Sequence, residues 1–155
     1  MSHGKTSQRY FIGLVLFIAG FHPANLSRAE SKPTARGYVF EDLNRNGVRD
    51  QGERGLPRII VSNQREVTVT KKDGSWELPA SDDTIFFVVK PSGWMTPVNH
   101  HYLPRFYYIH KPKGSPNLKF EGVNPTGPLP ASIDFPLHRQ TEPRKFQAIF
   151  FGDPQ

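Results

Sequence analysis

The chain has 155 residues, 20 basic and 14 acidic side chains, a formal net charge of +6 and no cysteine. The missing cysteine excludes disulfides, a catalytic thiol and a cysteine-linked lipid anchor. Residues 1–29 hold Lys5, Arg9 and Arg28 and no acid, so the remainder carries 17 basic against 14 acidic residues, a net +3; the short patches Lys71-Lys72 and Lys111-Pro112-Lys113 are far from the sustained basic face of a nucleic-acid binder.

In chain order, Lys5 and Arg9 precede the apolar run Tyr10 to Phe21, and small residues follow at Ser27 and Ala29. This is the layout of a secretory signal peptide over 1–29, with cleavage near Ala29. The run of about a dozen apolar residues falls short of the roughly 20 that a membrane-crossing helix needs. The expectation is an exported protein, periplasmic or extracellular, with no membrane span after cleavage.

Residues 30–36 read as a linker. From Gly37 the chain becomes runs of β-formers broken by turn residues, which predicts an all-β domain. The predicted strands are Tyr38 to Glu41, Ile59 to Asn63, Glu66 to Thr70, Ser75 to Pro79, Thr84 to Lys90, Phe106 to His110 and Ser132 to Leu137, with no helical apolar period. Asp73-Gly74 between apolar alternations predicts a hairpin turn. Phe86-Phe87-Val88-Val89 lacks alternation, as a strand buried on both faces does, and so is placed centrally in a two-sheet sandwich.

Residues 37–110 form the predicted sandwich, and 111–144 a proline-rich connection to a second domain. The aromatic cluster Phe106-Tyr107-Tyr108 suits packing into a core or domain interface better than a ligand platform. His100 and His101 are neighbours that point to opposite faces of an extended chain, and His110 and His138 lack a motif partner, so all four read as structural. Lys145 to Phe151 predicts a buried strand, with Asp153 just past its C-terminal end, where open α/β sheets carry catalytic groups.

The sharpest motif is Asp42 to Glu53. It offers oxygen ligands at loop positions 1, 3, 5, 7, 9 and 12, from Asp42, Asn44, Asn46, the Val48 carbonyl, Asp50 and Glu53, with Gly47 at position 6 for the reversal. That is the spacing of a twelve-residue calcium loop, and calcium wants six to eight hard oxygens. The bland alternative is an Asn/Asp-rich turn whose side chains satisfy the backbone. Both flanks, Gly37 to Glu41 and Gly55 to Ile59, are strand-like, whereas an EF-hand needs helices.

Residues 37–79, with Val39 to Pro57 and Lys72 to Pro79 carrying the likeness, resemble the calcium-stabilised B-type repeats of bacterial surface adhesins and related prealbumin-like, Ig-like sandwich modules. The resemblance implies a structural calcium ion that ties the loop between the first two strands.

Taken with the Tyr107 to Pro116 region, Ser132 to Leu137 and Phe146 to Gln155, residues 36–155 resemble the N-terminal part of secreted calcineurin-like metallophosphoesterases. That resemblance implies an accessory sandwich preceding a two-metal phosphoesterase domain, which would start at 145–155. Its first metal motif, Asp-x-His, is matched by Asp153 and Gln155. Glutamine in place of histidine offers an amide oxygen where a borderline-soft transition metal prefers nitrogen. Two metals roughly 3.5 to 4 Å apart are needed to activate water at a phosphoryl group, and Asp153 with Gln155 cannot hold that pair.

The expectation is therefore an N-terminal piece of an exported metallophosphoesterase, inactive alone, with divalent transition metals belonging to the complete enzyme and its own catalytic domain as partner. The alternative is a self-sufficient secreted calcium-stabilised sandwich that binds a glycan or a protein.

Overall fold

The computed structural model describes Met1 and residues 32–152; the expected signal segment and the Asp153/Gln155 motif lie outside the described residues. Eight strands form, β1 (Thr34–Glu41), β2 (Ile60–Ser62), β3 (Val67–Val69), β4 (Ser75–Pro79), β5 (Thr84–Val88), β6 (Trp94–Met95), β7 (Tyr107–His110) and β8 (Phe135–Arg139), and no helix is present among the described residues. They make two four-stranded sheets, ordered β4-β1-β8-β6 and β3-β2-β5-β7. The all-β sandwich expected from the strand spacing is the architecture found.

Period-two burial sets the faces. Phe86 and Val88 of β5, Val61 of β2, Trp76 and Leu78 of β4, Ala35 and Val39 of β1, and Phe135 and Leu137 of β8 are buried together in one core. Trp76 lies at its centre, its ring 5.8 Å from those of both Phe86 and Phe135. Such aromatic pairs contribute roughly 0.5–1.5 kcal/mol each beyond the area they bury.

Four expectations need correction. The strand expected from Tyr38 starts at Thr34, so Thr34 to Arg36 of the expected linker 30–36 are already paired, Thr34 to Tyr38 running antiparallel to Pro79 to Ser75. The Asp73-Gly74 turn joins no hairpin: β3 pairs with β2 in one sheet and β4 with β1 in the other. Gly74, at φ +80°, bonds back to the Lys71 carbonyl at 3.0 Å while its own carbonyl accepts the Val39 N–H at 2.9 Å, which carries the chain from one sheet to the other. The short strand β6 had no sequence signal.

The third and fourth concern the C-terminal third. Val39 to Glu41 of β1 pairs in parallel with Phe135 to Leu137 of β8, and Ile133, Phe135 and Leu137 are core residues. The sandwich thus draws in the chain as far as residue 139, beyond the limit at 110. The run Phe146 to Phe151, expected as a buried strand, is exposed and pairs with no described strand, because a strand forms only where a sheet edge receives it.

Candidate metal centre: the 42–53 loop

The loop leaves β1 at Glu41 and returns at Arg54, whose carbonyl accepts the Glu41 N–H at 2.9 Å. Its mouth is closed on β8 by the Asp42 N–H, which donates to the Leu137 carbonyl at 2.8 Å. Of the two flanks inferred as strand-like, Gly37 to Glu41 is strand, whereas Gly55 to Ile59 makes one isolated bridge at Gly55 and a turn at Pro57 and Arg58 before β2 begins.

Inside the loop the side-chain oxygens face its own backbone. Asp42, 1 % exposed, accepts the Asn46 N–H through Oδ1 at 3.2 Å and the Gly47 N–H through Oδ2 at 2.9 Å. Asn44 Oδ1 accepts the Asn46 N–H at 3.0 Å, and Asn46 Oδ1 the Val48 N–H at 2.7 Å. Glu53 accepts the Leu43 N–H through Oε1 at 2.8 Å and the Asp50 N–H through Oε2 at 3.1 Å. The amide NH2 groups of Asn44 and Asn46 both donate to Asp50 Oδ2 at 2.7 Å. Gly47 takes φ +78°, the left-handed conformation that favours glycine at the reversal.

The sequence thus brought Asp42, Asn44, Asn46, Asp50 and Glu53 into one closed loop, as its spacing required. The Val48 side chain is exposed, and its carbonyl accepts none of the loop's backbone hydrogen bonds. Three carboxylates lie in these twelve residues, two of them on buried residues, and none has an ion pair among the described residues. Each buried carboxylate accepts two backbone N–H groups, as in an Asn/Asp-rich turn, and a set of carboxylate, amide and carbonyl oxygens is also of the kind that suits a hard cation. Among the described residues no group of three or more His, Cys, Asp or Glu side chains is placed to hold a metal ion.

Beside the loop stands a charge cluster that linear reasoning did not find. Glu41 is buried, and its carboxylate receives Arg54 Nε at 2.5 Å and Arg139 Nε at 2.9 Å. Burial pushes the Glu41 carboxyl up, but the two guanidinium groups outweigh it and hold it below the usual glutamate range. Arg139 lies 98 residues away in sequence, and only the parallel β1/β8 pairing could have revealed it. Burial, then Arg45, holds His138 below its usual range, opposed by Asp42.

The remaining residues of interest do not join the loop. His100 and His101 occupy a turn and not an extended segment, so their rings lie side by side with centroids 3.8 Å apart. His110 and His138 each have a buried Nδ1 with no hydrogen-bond partner among the described residues. Of the aromatic cluster only Tyr108 packs on the core; Phe106 and Tyr107 meet edge to face at 5.3 Å on the exposed side. An open cleft of about 460 Å³ is lined by Asn46 and Gly47 of the loop together with Arg105, Tyr107 and Asp134.

The fold and the loop together define an all-β, two-sheet sandwich with an oxygen-rich twelve-residue loop after its first strand. Residues 43–124 match the family described as the N terminal of calcineurin-like phosphoesterase, and the chain belongs to that family. It is also similar to the serine-aspartate repeat-containing protein D of Staphylococcus aureus strains Newman, MW2 and NCTC 8325, at 37 % identity over 67 residues, 37 % of this chain. The match spans only 5 % of the length of those relatives.

Proposed function

We propose that this chain is the N-terminal accessory domain of an exported calcineurin-like metallophosphoesterase, that it does no hydrolysis itself, and that a structural calcium ion locks its 42–53 loop. The observation that carries the reading is the family match across residues 43–124. It takes in the loop from position 2 onward, strands β2 to β7 and the first part of the proline-rich segment, and leaves out β1 and β8.

In this reading Asp42, Asn44, Asn46, the Val48 carbonyl, Asp50 and Glu53 hold the calcium ion, which supplies positive charge to carboxylates that have no ion pair among the described residues. Asp153 and Gln155 contribute to the phosphoesterase centre, whose divalent transition metals belong to the complete enzyme. The catalytic domain is the module's partner. Export rests on the charged, apolar and small-residue layout of residues 1–29; among the described residues no helix is long and apolar enough to cross a membrane.

The alternative, a self-sufficient calcium-stabilised module that binds a glycan or a protein, draws on the integration of β8 into the sandwich. It leaves the exposed apolar run Phe146 to Phe151 without a packing role. The test is hydrolysis of a bis-aryl phosphodiester with Mn2+ by the intact gene product and by residues 1–155. Metal-dependent turnover by the former alone is expected. Turnover by the 155-residue chain, or by neither protein, contradicts the reading.

A further inference from the structure

The two outward faces of the sandwich differ in a way that folding alone does not require. An antiparallel sheet with one wet face ordinarily alternates apolar in and polar out. On the mixed β4-β1-β8-β6 sheet the outward Arg36 and Glu77, paired across β1 and β4, are both exposed, and the outward Phe40 is fully buried. The β3-β2-β5-β7 sheet breaks the alternation. Val61 and Val88 fill its inner face, and among its outward positions, which also take in Ser62, Ile85 and Ile109, are six apolar residues: Val67, Val69, Ile60, Phe87, Val89 and Tyr107. Five of these six are 43–70 % exposed.

The register makes these residues one surface. Ile60 faces Val69, Ser62 faces both Val67 and Phe87, and Phe87 faces Tyr107. The Val89 N–H bonds to the Ile60 carbonyl at 2.9 Å, which extends the surface past the end of β5. A contiguous apolar patch of this kind on a soluble domain marks an interaction surface. It also explains why β5 read as a strand buried on both faces.

The path of the chain says what covers it. After β8 the Gln140 N–H bonds to the Gly93 carbonyl at 3.0 Å. Glu142 is then clamped by Lys90 Nζ at 2.6 Å and Ser92 Oγ at 2.8 Å. The hydrogen bonds from Lys90 and Ser92 lower the Glu142 carboxyl to about 2. The clamp therefore holds the outgoing chain immediately after Val89, at the border of the apolar face. Four residue steps of at most about 3.5 Å each separate Glu142 from Phe146, so the exposed apolar run begins within roughly 14 Å of the clamp.

We infer that the outer face of the β3-β2-β5-β7 sheet is the docking surface for the phosphoesterase domain that follows in the same polypeptide, with Glu142 fixing its point of departure. The inference rests on the proposed function and adds a surface to it. Docking would make the connection a rigid joint, since a domain held within a short tether of an apolar face covers that face at high effective concentration.

The chain has no cysteine, so single thiols can report on each face. Val69→Cys and, on the opposite sheet, Glu77→Cys are both exposed positions that leave the core untouched. In the intact gene product, maleimide labelling is expected to be at least tenfold slower at position 69 than at position 77, at every protein concentration. After proteolytic cleavage in the Pro143–Lys145 segment and separation of the parts, the two rates should become similar. Equal rates in an intact product that still hydrolyses phosphodiesters overturn the docking while leaving the proposed function standing. Protection that grows with concentration puts a second copy on the face and also overturns it. An inactive product with equal rates overturns both.

Discussion

Leu43 and Glu53, ten residues apart, are joined by a hydrogen bond of 2.8 Å from the Leu43 N–H to Glu53 Oε1. The other carboxylate oxygen accepts the Asp50 N–H at 3.1 Å. One side chain at the end of the loop thus holds its beginning and its far turn. Glu53 is 8 % exposed, so truncating it leaves two N–H groups without their acceptor. Glu53→Ala is expected to cost about 1–3 kcal/mol even in excess chelator, as read by urea unfolding; an unchanged midpoint contradicts the structural role.

The exit of the loop is fixed by backbone packed on backbone. A Cβ on Gly55 would fall 1.8 Å from the Asp73 carbonyl oxygen, and one on Gly74 would fall 2.4 Å from that of Val39. Neither obstacle is a side chain that can move aside. Gly55→Ala should lower stability by about 3 kcal/mol or more, at the upper end of overpacking effects. Gly47→Ala meets nothing within 4 Å and strains only its positive φ, at a cost of about 1 kcal/mol. Parallel unfolding curves of the two variants check the ranking, and equal losses contradict it.

Acid should act through Glu41. Its carboxyl is held below the usual range in the folded chain, so its stabilisation is fully present above the ordinary glutamate pKa and fades as pH falls through the lowered value. Arg54 and Arg139 are 60 % and 66 % exposed at their side chains, which screens the cluster and limits the effect to about 1 kcal/mol. Glu41→Gln should therefore destabilise the chain at pH 7 and lose its effect once the native carboxylate is protonated. A constant difference between the two proteins from pH 7 to pH 2 contradicts this account.

Much of the architecture was legible because period-two alternation is local. Ser75–Pro79 was placed to the residue, and five other strands were found to within a few residues of their ends. The loop was legible for the same reason, since all of its ligand candidates lie within twelve consecutive residues. What escaped depends on which strands meet. Asp73-Gly74 has the chemistry of a hairpin turn, and only the pairing of β4 with β1 makes it a crossing between sheets. The parallel β1/β8 pairing brings Arg139 to Glu41 across 98 residues. In β5 and just after it, the outward Phe87 and Val89 imitate double burial, because an apolar outer face and a buried face use the same residues.

The most direct test of the ion-locked loop is the melting temperature of the chain with calcium and with chelator, for the native sequence and for Asp42→Ala. An ion that binds only the folded state stabilises by mass action, by about 2.7 kcal/mol at a hundredfold excess over its dissociation constant. The account predicts that calcium raises the melting temperature of the native chain by several degrees and leaves that of Asp42→Ala unchanged. Identical curves with calcium and with chelator for the native chain would contradict it.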